Sequence, residues 1–104
     1  MDLSKMKTAE QVLNEQLQNP EFAAEWDRTR FAREVAIRVV KYRSERGMTQ
    51  RDMAKATGLT QSVIARLEIG EQTPSLSTLA KLTKATGLRF RLDVDGGNVA
   101  LAVA

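Results

Sequence analysis

The chain has 104 residues, of which 42% are apolar and 28% charged, a size and balance that suit one small globular domain with an appendage. It contains no cysteine and no histidine, which excludes disulfides and thiolate metal sites and removes the commonest general base and metal ligand; no segment approaches the length of a membrane span. The net charge of +3 is uneven: residues 1–40 carry six Lys/Arg against seven Asp/Glu, residues 41–92 carry ten against four, and residues 93–104 carry only Asp93 and Asp95.

The basic part is therefore the middle of the chain, as binding to phosphates requires. A cysteine-free chain whose N-terminus lacks a signal peptide's apolar core is expected in a reducing cytoplasm. The first several residues look loose. Thr8 and Gln11 then form a capping box, Thr followed three positions later by Gln, which predicts a short helix from about Thr8 to Gln18 with Val12 and Leu13 apolar. Asn19-Pro20 punctuates, with Asn as cap and Pro at the first helical position. A second helical pattern runs from Pro20 to about Arg46, with Phe22, Trp26, Val35, Val39 and Tyr42 at compatible intervals and a break near Arg28–Thr29. Gly47 closes it.

The stretch Thr49–Gly70 carries the most information. Thr49 caps a helix, with Asp52 as a short version of the capping-box partner. Met53, Ala54 and Thr57 recur at helical spacing, and Ala54 is small where two helices would cross. Gly58 is placed to end the helix in the left-handed conformation. Leu59 follows the turn and should pin it to the core; Thr60 caps the next helix. Ile64 and Leu67 share an inward face, which leaves Gln61, Ser62, Ala65 and Arg66 on the outer one. Two helices around a tight turn, with polar residues at the front of the second, are the layout that places a helix in the DNA major groove. A hairpin of helices without DNA binding is the plain alternative.

Beyond the motif, Thr73-Pro74-Ser75 opens a helix through Ala85, with Leu76, Leu79 and Leu82 on one face, and Gly87 ends it. The period then changes. Leu88, Phe90, Leu92 and Val94 alternate with Arg89, Arg91 and Asp93, a strand pattern. Asp95-Gly96-Gly97 is a turn signal, not a nucleotide-binding loop, and Val99, Leu101 and Val103 suit a return strand. An isolated hairpin is barely stable, so pairing of Arg89–Val94 with its twin in a homodimer is expected; the alternative is a strand lying on its own domain.

The run Gly47–Leu88 resembles the Xre/Cro family of helix-turn-helix proteins, with Gln50, Ala54, Gly58, Ile64, Leu67, Glu68 and Gly70 at matching spacings. The resemblance implies a mainly α fold: a five-helix lambda-repressor-like domain (35–87), an N-terminal helical extension (1–34) and a short C-terminal β-strand or hairpin (88–104). It implies a symmetric double-stranded operator, with Gln50 holding a phosphate, Thr60 capping the second motif helix beside a phosphate, and Gln61, Ser62 and Arg66 meeting base edges. Gln pairs bidentately with adenine and Arg with guanine, each good pair giving about 1–3 kcal/mol of discrimination. It also implies a structural ion pair, Arg43–Glu68, the alternative being an Arg43 that reaches a phosphate itself.

The segment Leu13–Gln50 looks like the leader of HigA-type antitoxins. That resemblance implies a RelE-like ribonuclease toxin as partner, autorepression of the operon, and a toxin contact at Phe22, Trp26 and Phe31; the alternative is that these aromatics close the domain's own core. The competing function is a stand-alone Xre-type repressor, followed by a protein-interaction module that has lost DNA binding. No catalytic residue, cofactor or metal is expected, and no membrane partner.

Overall fold

The computed structural model describes residues 6–101, which form six helices and one hairpin. The order is α1 (Ala9–Gln16), α2 (Pro20–Arg28), α3 (Arg30–Glu45), α4 (Gln50–Thr57), α5 (Gln61–Ile69), α6 (Leu76–Thr86), β1 (Leu92–Asp95) and β2 (Asn98–Leu101). The fold is mainly helical with a short antiparallel hairpin after the last helix.

Local chemistry sets most of these boundaries. Thr8 accepts from Gln11 N while the Gln11 side chain accepts from Thr8 N, at 3.1 and 2.9 Å, so the first capping box is complete. Asn19 Oδ1 accepts from Glu21 N at 2.9 Å, and Pro20 opens α2. The single residue Thr29 separates α2 from α3. Helix α3 then runs unbroken from Arg30 to Glu45, so the expected domain boundary between residues 34 and 35 falls inside it.

Helix α3 is the spine of the core. Phe31, Val35 and Val39 recur four residues apart on one face and are all essentially buried, meeting Met53 from α4, Ile64 and Leu67 from α5, and Leu79 and Leu82 from α6. Leu59 packs against this cluster directly after the turn. Leu76 departs from the expected apolar face: it is 73% exposed. It is the first residue of α6, next to the Ser75 cap, and a helical side chain covers the turn before its own Cα, which here lies beyond the helix.

The hairpin turns on Gly96 and Gly97 at φ 56° and 80°, as a two-residue turn with both central residues left-handed requires. Leu92 pairs with Leu101 and Val94 with Val99. Leu88–Arg91, expected as the start of the strand, is irregular. The segment is held from α3 instead: Arg38 Nη1 donates to Arg89 O at 2.9 Å, and the Arg38 guanidinium stands 5.7 Å from the Phe90 ring centroid. Leu101 N donates to Glu34 Oε2 at 3.4 Å, and Phe90, Leu92, Val99 and Leu101 pack against the core. The hairpin thus packs on its own chain against α3, the arrangement that the sequence offered as the alternative to pairing with a twin strand. Val103 and the first five residues lie outside the described residues.

Candidate nucleic-acid interface

Two helices and the turn between them build this surface, and each boundary is fixed by a side chain. Thr49 Oγ1 accepts from Asp52 N at 3.0 Å, and Asp52 Oδ2 accepts from Thr49 N at 2.9 Å. That donation from the Thr49 backbone holds the Asp52 carboxyl below its ordinary range. Gly58 ends α4 at φ 76°. Thr57 is buried, and its hydroxyl donates to Met53 O at 2.8 Å while accepting from Leu59 N at 3.2 Å, so one side chain ties both sides of the turn. Thr60 Oγ1 accepts from Val63 N at 3.1 Å and starts α5.

On α5 the two faces separate as amphipathic spacing demands. Ile64 and Leu67 are buried; Gln61, Ser62 and Arg66 are exposed, and Ala65 is half-buried between them. Thr60 is exposed at the cap, and Gln50 is half-buried as the first residue of α4. A groove runs beside α5, bordered by Arg66, Gln72, Thr73, Ser75 and Thr78. Gln72 was not singled out from sequence and Thr73 was read only as part of a helix start; the polar run Glu71–Ser75 between two helices was the available signal.

The far end of α5 is locked in place. Arg43 Nη2 and Nε reach Glu68 Oε1 and Oε2 at 2.6 and 3.2 Å, and Arg43 Nη1 donates to Met48 O at 3.0 Å. The side chains are 21% and 8% exposed. A guanidinium has five N–H donors, and three of Arg43's are engaged here. Gly70 follows at φ 74°, and a Cβ there would stand 3.2 Å from Ala36 Cβ and from Arg33 Cα. The end of α5 is therefore pressed against the α3 backbone. Met53, Ile64 and Val39 pack in the core behind it, and close-packed cores deform little.

The helix-turn-helix family profile matches residues 39–92, just over half of the chain. The chain belongs to the helix-turn-helix family. The HTH-type transcriptional regulator PuuR of Escherichia coli is 41% identical over 51 residues, covering 49% of this chain and 28% of the relative. The PuuR of Shigella flexneri matches to the same extent. An uncharacterised HTH-type transcriptional regulator of Methanothermobacter thermautotrophicus is 36% identical over 61 residues, covering 54% of this chain and 88% of the relative. The chain spans little more than a quarter of the length of the PuuR relatives. No solved structure matches it significantly.

The aromatics expected at a protein contact are split by the fold. Phe22 and Trp26 stack on α2 with centroids 6.1 Å apart. The Arg33 guanidinium lies 3.4 Å from the Trp26 ring centroid, and Arg33 Nη1 donates to Trp26 O at 2.7 Å. Phe31 is 1% exposed and belongs to the core, which takes it out of any surface contact. Among the described residues no helix is long and apolar enough to cross a membrane, and no cluster of metal-ligating side chains occurs.

Proposed function

We propose that this chain is a sequence-specific DNA-binding transcriptional repressor that lays α5 into the major groove. Gln61, Ser62 and Arg66 read base edges, while Gln50 and Thr60 hold phosphates from the ends of α4 and α5. Gln72 and Thr73, bordering the same groove as Arg66, contact the neighbouring backbone. The observation that carries this reading is the front of α5: three exposed polar side chains on a helix whose rear is fixed by Ile64, Leu67 and the Arg43–Glu68 pair. Base readout needs side chains in a defined register, which a rigidly mounted helix supplies. The helix-turn-helix relatives named as transcriptional regulators support the same reading. In this division α1–α2 form an extension, α3–α6 the DNA-binding unit and β1–β2 a support for α3. As a homodimer the protein would place two copies of α5 on half-sites one helical turn apart. A bound dimer blocks polymerase and needs no catalysis or cofactor.

Selection of binding sites from random duplexes, followed by affinity measurement with Gln61→Ala and Arg66→Ala, tests this. The expected result is a palindromic site and a loss of about 1–3 kcal/mol for each substitution, confined to one base position. Equal affinity of both variants for selected and scrambled duplexes would sink the base-readout role.

A second reading is the antitoxin, in which the repressor also neutralises a RelE-like ribonuclease encoded beside it. The observation favouring it is α2: Phe22 and Trp26 are only half-buried, and the helix carries Glu21, Glu25 and Asp27 against Arg28 alone. An acidic helix with an aromatic pair suits a basic protein surface. Co-expression with the adjacent reading frame decides between the two. A stoichiometric partner whose retention is lost on Phe22→Ala supports the antitoxin, and a chain that purifies alone leaves the stand-alone repressor.

A further inference from the structure

We propose that two copies of this chain associate by exchanging α1, each copy seating its α1 in a groove between α3 and α5 of the other. Two apolar faces among the described residues are largely uncovered, and their lengths and charges match. The first is the groove. Ala36, Ile37 and Val40 of α3 and Ile69 of α5 form its floor, with Arg33 and Lys41 at its two ends and Glu68, already paired with Arg43, on its wall. Ile37 and Ile69 are 65% and 61% exposed, adjacent to the close approach of Gly70 to Ala36. The groove is almost wholly apolar, and exposed apolar surface of this kind marks an interaction site.

The second face is on α1. Ala9, Val12, Leu13 and the capping residue Leu17 fall on one stripe at positions i, i+3, i+4 and i+8. Among the described residues nothing buries this helix: Val12 is 40% exposed, and Leu13 and Leu17 are half-buried. Its charged residues are Glu10 and Glu15, with no basic residue among the eight, and Lys7 just before the helix pairs with Glu15 at 2.8 Å. Eight residues of helix span about 12 Å, and so does the path from Arg33 to Lys41 along α3. An acidic helix of that length fits an apolar groove that ends in two cations. The groove of a second copy fits worse, because it would bring Arg33 and Lys41 against like charges while the one carboxylate present, Glu68, is already held by Arg43. One two-turn helix buries too little for a stable interface, but a reciprocal exchange doubles the area and closes with two-fold symmetry. This dimer does not use the hairpin, whose packing is already supplied by α3.

Sedimentation equilibrium of the full chain at tens of micromolar tests the proposal. The expected mass is twice the 11.6 kDa of one chain, falling to one chain for Ile37→Glu/Ile69→Glu and for Val12→Glu/Leu13→Glu, with helical circular dichroism unchanged. A wild-type monomer, a dimer that survives the groove substitutions, or one lost on Val94→Asp alone overturns the proposal. Should the charged variants unfold, single Leu13→Cys and Ile69→Cys variants replace them, because the chain has no cysteine of its own. Equal mixing under oxidation should yield a disulfide between the two different variants. No such disulfide, or one formed only within a chain carrying both cysteines, overturns the exchange.

Discussion

Arg43 makes three hydrogen bonds inside the protein, two to Glu68 and one to Met48 O, and so ties the end of α3 both to α5 and to the loop before α4. Glu68 is the more enclosed partner, at 8% exposure. Removing Arg43 leaves that carboxylate enclosed and without its cation, so Arg43→Ala should cost roughly 2–3 kcal/mol in denaturant unfolding. Glu68→Gln keeps an acceptor and should cost less than half as much. Equal costs for the two would mean that the charge, not the hydrogen bonds, holds α5. Asp52 makes the other residue-scale prediction. Its carboxyl is held below the ordinary range by the Thr49 backbone N–H. A folded value below the unfolded one gives stability that is present above the unfolded value and lost as pH falls through the folded one. Thermal melts taken from neutral into the acid range should therefore show a smaller acid loss for Asp52→Asn than for the wild type. Some loss will remain, because Glu25 is likewise lowered, by Arg28 beside it. An identical pH dependence in Asp52→Asn would remove the capping carboxylate from the account.

Helices α4 and α5 both end in a left-handed glycine, yet the two positions differ physically. Gly58 has φ 76° and open space around a would-be Cβ; Gly70 has φ 74° and would press a Cβ to within 3.2 Å of the α3 backbone at Arg33. Gly58→Ala should cost about 1–2 kcal/mol from backbone conformation alone. Gly70→Ala should cost clearly more, because α5 must also back away from α3, and it should weaken DNA binding while Gly58→Ala mainly lowers the melting temperature. Equal destabilisation in chemical unfolding would show that α3 yields freely. The sequence exposed the first half of this contrast and not the second. Caps at Thr8, Asn19, Thr49, Thr60 and Ser75 act within one turn, so helix starts were legible from neighbouring residues. The break at Thr29 was legible for the same reason, since Arg28–Thr29 interrupts the apolar spacing. Gly70's contact with Arg33 joins residues far apart in sequence, and no local pattern encodes it. The same limit explains the hairpin: its alternation was readable, but its seat on Glu34 and Arg38 is a tertiary fact. Phe31 and Phe22 looked alike as exposed aromatic candidates, because burial was decided by the one-residue break that sets the direction of α3.

Charge organises the molecule at its largest scale. Residues 41–92 carry a net of +6, while the segments before and after them carry −1 and −2. The basic middle supplies the attraction that brings DNA to α5. Arg51 and Lys55 are exposed on α4 beside Gln50, on the element proposed to meet the phosphate backbone. Each phosphate neutralised releases condensed counterions, so the logarithm of the affinity should fall linearly with the logarithm of salt, with a slope of about −0.9 per contact on duplex DNA. Arg51→Ala should therefore flatten the slope by about one for each copy bound, and lower affinity nearly equally for operator and unrelated sequence. Arg66→Ala should do the reverse, leaving most of the slope and removing discrimination at one base pair. The pair of measurements separates holding from reading: if both variants change the slope alone, α5 is an electrostatic clamp, and the polar front of that helix does not choose the site.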